Sequence, residues 1–330
     1  MQIPLSVLDL APIARGESVS SSIAASVALA QRAEQCGYER VWYAEHHNMP
    51  RIASSATSVL IAHVGAHTSS IRLGAGGVML PNHAPLTIAE QFGTLEAMYP
   101  GRIDLGLGRA PGSDQPTMYA LRRDPTSSDR FPDDVLELQG FLAGESRVPG
   151  VQAVPGSGSH VPLYVLGSSM FGAHLAARLG LPYAFASHFA PQALEAAVAA
   201  YRREFQPSAQ LDAPYVIAGV NVIAADTTSQ AQEQHAAMRR ALAVGLFAGG
   251  QDLSDVEADV LLRRGAGQHV DQMFTYAAVG TPPQVADYLR GFRDLVAADE
   301  LITAHQAPTT EGRLRSVELT AEALERESVA

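Results

Sequence analysis

Eight short apolar runs, each separated from the next by a longer alanine-rich stretch with helical spacing, constrain this chain more than any other feature. The runs fall at 3–8, 41–44, 71–80, 102–108, 163–166, 183–186, 215–224 and 300–305. Between them the apolar positions recur every three or four residues. Helices are therefore expected from Ser18 to Gly37, from Ser54 onward, and over 85–99, 133–143, 169–179, 191–205, 229–247, 282–296 and 314–325. Strands that alternate with helices pair in parallel, because the crossover helix returns the chain to the same end of the sheet. Closing eight such units gives a (β/α)8 TIM barrel, which needs about 250 residues. The 330 residues present leave room for insertions at 144–160 and about 249–280. No break in composition divides the chain, so one barrel domain over 1–330 is expected.

Composition removes several function classes. Apolar residues make up 47% and charged residues 17%, enough to bury a large core and too few charges for a disordered chain. The 23 basic residues are all Arg, and the net charge is −11. That balance speaks against a nucleic-acid backbone as partner. Without Lys there is no P-loop. A single cysteine, Cys36, cannot close an internal disulfide. The start lacks a basic flank and Asp9 interrupts its apolar run, so a signal peptide is not expected. The uncharged stretch between Arg51 and Arg72 is rich in Ser, Thr and His and does not read as a membrane span. A soluble, cytoplasmic protein is the expectation.

In a barrel of this kind the carboxyl ends of the strands build the site. Those ends carry Glu45-His46-His47, Gly74 to Gly77, Gly106-Leu107-Gly108-Arg109, Gly167-Ser168-Ser169 with Gly172, and Ser187-His188-Phe189. Period-two alternation turns Asp104, Gly106 and Gly108 inward. The glycines either leave space for a flat ligand or permit tight packing and a bulge. Ser168 and Ser169 precede a helix, where free amides suit a phosphate or the hydroxyls simply cap. Arg109 either joins that phosphate or makes a surface ion pair. His46 can move a proton near neutral pH, with Glu45 fixing its tautomer. No metal site is expected, because neither His46 with His47 nor His63 with His67 has a third ligand. The segment 249–280 reads as a solvated helix or as a lid over the mouth.

These segments resemble the bacterial luciferase-like flavin-dependent monooxygenase family, in particular its stand-alone oxidoreductases. The carrying motifs are 41–47, 73–81, 100–109, 166–169 with Gly172, 180–189 and 279–282, in order along the chain. The resemblance implies reduced FMN (FMNH2) as cofactor, supplied by a separate flavin reductase, and molecular oxygen as co-substrate. A flavin C4a-peroxide would then oxygenate a small organic substrate, an aldehyde, ketone or aromatic compound. It implies that His46, beside Glu45, assists the chemistry. Ala75, Gly76 and Gly77 would form a bulge with a non-prolyl cis peptide against the flavin ring. Arg109, Arg130, Ser168, Ser169 and Gly172 would hold the phosphate. A homodimer is also implied. Luciferase itself has cysteine where Gly108 lies and bulkier residues at Gly76 and Gly77, which speaks against light emission. A deazaflavin (F420)-dependent oxidoreductase and a non-catalytic flavin-binding protein are the alternatives.

Overall fold

The structure is a computed structural model and describes residues 3–110 and 114–326. Its strands are β1 (Leu5–Asp9), β2 (Arg40–Tyr43), β3 (Arg72–Met79), β4 (Ile103–Gly108), β5 (Leu163–Gly167), β6 (Tyr183–Phe185), β7 (Val216–Ala224), β8 (Ala277–Gly280) and β9 (Glu300–His305). All pair in parallel. Neighbours run β1 to β7 in order, β9 lies between β7 and β1, and a β6–β7 pairing closes the ring. The eight expected runs are thus the eight barrel strands.

The ninth strand was not expected. The ninth residue of β7 lies well beyond the part that pairs with β6, and the strand's far end, Asn221 to Ala224, pairs with β8 outside the ring. The run Ala277-Ala278-Val279-Gly280 is too short and alanine-rich to announce itself.

The helices are α1 (Val19–Gln35), α2 (Thr57–Gly65), α3 (Pro85–Met98), α4 (Gln115–Ala120), α5 (Phe131–Ala143), α6 (Met170–Leu179), α7 (Leu194–Glu204), α8 (Thr228–Phe247), α9 (Asp255–Leu261), α10 (Gly267–Met273), α11 (Pro282–Val296) and α12 (Thr310–Arg326). Local chemistry sets several ends. Ser18 Oγ accepts from the Ser21 amide at the start of α1. Thr281 and Gln284 form a capping box before α11, with Pro at its first turn. Gly144 and Gly180 close α5 and α6 in the left-handed conformation. Ser54 does not cap α2. It is buried, its hydroxyl donates to the Leu10 carbonyl, and its own carbonyl accepts from the His46 amide. It therefore ties the ends of β1 and β2 together. No helix among the described residues is long and apolar enough to cross a membrane.

The barrel interior is layered. At the amino-terminal end Arg40 spans Glu300 (Nε to Oε1, 2.9 Å) and Asp104 (Nη1 to Oδ2, 2.8 Å), and also donates to Tyr164 Oη. Tyr215, Ser6 and Arg72 complete this buried ionic floor. Above it sit Leu8, Trp42, Ala44, Tyr164, Ala184, Ile217 and Ile302. Side chains on the alternate strand positions pack outward against the helices.

Both insertions are docked. The segment 144–160 joins α5 to β5, at the end of the barrel opposite the mouth, and its Gly156 lies against α3. A Cβ on Gly93 would stand 2.1 Å from the Gly156 Cα. The segment 249–280 contains α9, α10 and β8, with a kink at Gly265 (φ 118°) between the two helices. Ala266 and Val270 pack with Ala243 of α8. Asp252 pairs with Arg51, beyond β2, and the Leu253 carbonyl accepts from Arg15, beyond β1. This places it over the carboxyl-terminal rim as packed helices.

Candidate active site

Beyond Tyr43 the strand alternation continues. Trp42 and Ala44 lie in the interior layer and Tyr43 in the outer core. His46 follows them inward, and Glu45 and His47 turn outward. Glu45 and His46 therefore do not pair, and the expected tautomer-fixing contact does not form. Glu45 instead takes His47 Nε2 (2.7 Å) and His83 Nε2 (2.8 Å) on Oε1, and the Met79 amide (3.0 Å) on Oε2. Burial opposes ionisation of Glu45. Hydrogen bonds from His83, His47 and Met79 outweigh it and hold the carboxyl below its usual range. His83 is the third partner that these histidines lack in the linear sequence. It lies 36 residues beyond His47, after the turn Leu80–Asn82, and only the β2–β3 pairing brings it near.

His46 keeps a buried Nδ1 with no hydrogen-bond partner, and so does His188 beyond β6. Burial lowers the affinity of both rings for a proton. Glu45 partly offsets the effect at His46, and His47 adds to it. His188 is pushed down to about 4, with the charge of His46 a further cause. Both imidazoles are thus neutral at pH 7. Asn221 Nδ2 donates to the carbonyls of His188 (2.8 Å) and Met273 (2.9 Å), and its Oδ1 accepts from Gln306 (3.3 Å). His188 lies in the 180–189 motif, whereas Asn221 carries no motif. Their place at adjacent strand ends is what marks them.

The glycine-rich strands are packed, which settles the choice between space and close approach. A Cβ on Gly76 would come within 2.9 Å of Leu8 and Trp42. One on Gly77 would lie 2.7 Å from the Gly106 carbonyl oxygen, and one on Gly106 would lie 2.3 Å from that of Ala75. Side chains are excluded because strands and the Trp42 layer already fill the volume. The register of β3 against β4 shifts between Ala75 and Val78, and the Gly76–Gly77 peptide is cis. The bulge and the cis bond stand where they were expected.

At the start of α6, Ser169 occupies the N-cap position, yet its side chain makes no capping hydrogen bond. The first amides of a ten-residue helix are therefore not capped by a side chain. Gly172 lies close under Tyr183, whose hydroxyl donates to the Ser169 carbonyl (3.0 Å). Arg109 reaches this helix from the end of β4, with its guanidinium 4.1 Å from the Phe171 ring centroid. Its other contacts are long: Nε to the Ser128 carbonyl at 3.4 Å and Nη2 to Asp129 at 3.9 Å. Arg109, Ser168, Ser169 and Gly172 are brought together. Arg130 is engaged elsewhere, 3.4 Å from Asp134 one turn along in sequence, with its side chain 73% exposed.

A closed parallel barrel with ionisable groups and an anion-ready helix start gathered at one rim is an enzyme architecture. The sequence profile of luciferase-like monooxygenases matches residues 3–299. A luciferase-like monooxygenase of Escherichia coli strain K12 is 48% identical over 96% of each chain. An N-acetyl-S-alkylcysteine monooxygenase of Bacillus subtilis is 37% identical over 74% of each. The crystal structure of apo-MsnO8 superposes with a TM-score of 0.87 at 36% identity, covering 98% of both chains. Two further solved structures, each 15% identical, share the fold. One is the oxygenating constituent of 3,6-diketocamphane monooxygenase from Pseudomonas putida, in complex with FMN (TM-score 0.75, 99% of both chains). The other is an F420-dependent secondary alcohol dehydrogenase (TM-score 0.71, 98% of this chain and 99% of that one). The chain belongs to the luciferase-like monooxygenase family.

Proposed function

We propose that this protein is the oxygenating component of a two-component system in the cytoplasm. It takes reduced FMN from a separate flavin reductase and transfers one atom of molecular oxygen to a small aldehyde, ketone or aromatic substrate. The observation that carries the reading is the meeting of Arg109 with the uncapped start of α6, on the same rim as the unpartnered His46. Named relatives of this chain are monooxygenases, which favours oxygen chemistry over hydride transfer.

The residues fit the cofactor. The α6 amides with Ser168, Ser169 and Gly172 would hold its phosphate, with Arg109 supplying charge. Arg130 would join them by leaving Asp134. The bulge of Ala75, Gly76 and Gly77 would support the ring, since no side chain projects from either glycine. When bound, reduced FMN supplies the electrons that activate oxygen. His46, neutral and with Nδ1 free, holds or delivers a proton at that nitrogen. In this reading Glu45 acts on catalysis through position: it anchors the end of β2 to β3 and so sets where His46 stands.

The test is anaerobic titration with reduced FMN and, separately, reduced F420, followed by oxygen. The expected result is FMN binding, NADH-driven oxygen uptake with an added reductase, and label from 18O2 in the product of a carbonyl or aromatic panel. Preference for F420 with hydride transfer, or flavin binding without oxygen uptake, overturns the reading.

A further inference from the structure

The trio Glu45, His47 and His83 lies outward of the proposed flavin site, which uses neither histidine and draws on Glu45 only to position His46. We propose that it is a binding site for one divalent transition-metal ion, of the kind zinc represents. Two imidazole nitrogens and one carboxylate oxygen are the donor set such ions take. The three ligand atoms lie within 4.8 Å of one another, and both Nε2 atoms address the same Oε1. The separations of 2.7 and 2.8 Å are hydrogen-bond distances, shorter than the spacing of neighbouring ligands around a tetrahedral ion. Bonds of about 2.0–2.1 Å at the tetrahedral angle give about 3.3 Å. To admit the ion the two histidines must each move away from Glu45 by about half an ångström, trading their hydrogen bonds for metal bonds.

The surroundings suit a site and not a chance approach. The Glu45 side chain is 2% exposed, and its second oxygen is held by the Met79 amide, which orients the ligand from behind. His47 and His83 are 19% and 28% exposed, which leaves an entry path and room for water on the open side. All three residues stand on chain fixed by the barrel: two directly after β2, one after the turn that ends β3. An ion here would clamp those two strand ends beside His46.

Without an ion the trio is complete as two N–H···O hydrogen bonds, and the experiment must separate the two states. Tag-free protein stripped with a chelator is titrated with zinc against a competing chromophoric chelator, and with cobalt(II) for its visible ligand-field bands. The expected result is one ion per chain and zinc-dependent thermal stabilisation. In Glu45→Gln the amide oxygen still accepts from both imidazoles, but the NH2 group cannot accept from the Met79 amide, so metal-free melting falls and zinc-dependent stabilisation is read against each protein's own metal-free form. Zinc affinity should fall at least about 10-fold, as it does when a site loses a tuned ligand. His83→Asn should lose the cobalt bands. Absence of stoichiometric zinc in the unsubstituted protein, or equal zinc affinity in it and Glu45→Gln, shows a hydrogen-bonded cluster only and overturns the proposal.

Discussion

His46 and Glu45 are adjacent in sequence and serve different faces of the barrel. The triplet Glu45-His46-His47 marks a strand end rich in titratable groups. It cannot say which histidine the carboxylate holds, because that depends on alternation beyond the last strand residue and on His83 arriving from β3. The division gives a prediction. His46→Ala should leave FMN affinity nearly intact while oxygenation falls about 10²–10⁴-fold, the usual share of a positioned acid or base. Hydrogen peroxide released per reduced flavin should rise. Arg109→Ala should weaken FMN binding and largely keep product formed per bound flavin. Fluorescence titration and peroxide assay separate the two, and equal loss of FMN affinity in both variants would sink the assignment. A second prediction concerns His305, buried beyond the interior between Thr303 (3.0 Å) and Ser316 (2.8 Å). Burial, with the nearby Arg313 charge, pushes it down to about 3, below the ordinary 6.5. The unfolded chain therefore binds a proton that the folded one refuses, and stability falls as pH drops from about 6.5 toward 3. The slope from this one group is at most about 1.4 kcal/mol per pH unit. Urea unfolding at pH 7 and pH 5 should show His305→Asn losing less stability between the two than the unsubstituted chain.

At the scale of elements, the eight barrel strands and most of their helices are legible because period-two and helical spacing alternate without interruption. What is not legible lies where long-range packing decides. β8 exists because β7 outruns the ring and offers Asn221 to Ala224 as an edge. The glycines of β3 and β4 are visible, but only the fold shows that Trp42 and neighbouring backbone occupy the volume they leave. The ionic floor is equally hidden, since Asp104 and Glu300 are 64 and 260 residues from Arg40 along the chain and meet it only in the closed barrel. Its consequence can be measured. Arg40→Met removes the one cation that spans both carboxylates and leaves Glu300, 0% exposed, without a charged partner. Breaking a buried pair from one side costs about 3–5 kcal/mol. Chemical denaturation should read that loss. The triple replacement of Arg40, Asp104 and Glu300 by apolar residues of similar size should recover most of it. A loss below about 1 kcal/mol for Arg40→Met would mean that the floor is hydrated and its charges are screened.

For the whole molecule, the outer surface of α2 and α3 sets the question of assembly. Helices that cover a barrel usually present charged residues to water, because the outer stripe has no apolar partner. α2 carries no Asp, Glu or Arg, and α3 carries only Glu90 and Glu96. Val59 on α2 is 68% exposed and Met98 at the end of α3 is 51% exposed. The two helices are joined at their surface, where Ser58 Oγ donates to Gln91 Oε1 (2.9 Å), so they form one continuous, weakly charged face. A face of this kind is stabilised by a second copy of itself, since a two-fold contact is self-complementary and buries each apolar position against its counterpart. A homodimer through α2 and α3 is therefore the expected state, covering about 800 Å² on each copy, the ordinary size of a stable interface. It leaves the rim free, because α2 and α3 flank the barrel wall while His46, Arg109 and the start of α6 lie at the strand ends. Val59→Arg places a charge in the middle of that contact. It should give a monomer by light scattering at micromolar concentration, with unchanged circular dichroism and FMN binding, while the unsubstituted chain runs at twice its monomer mass. A monomeric unsubstituted chain, or a Val59→Arg variant that still pairs, would place the assembly surface elsewhere on the barrel.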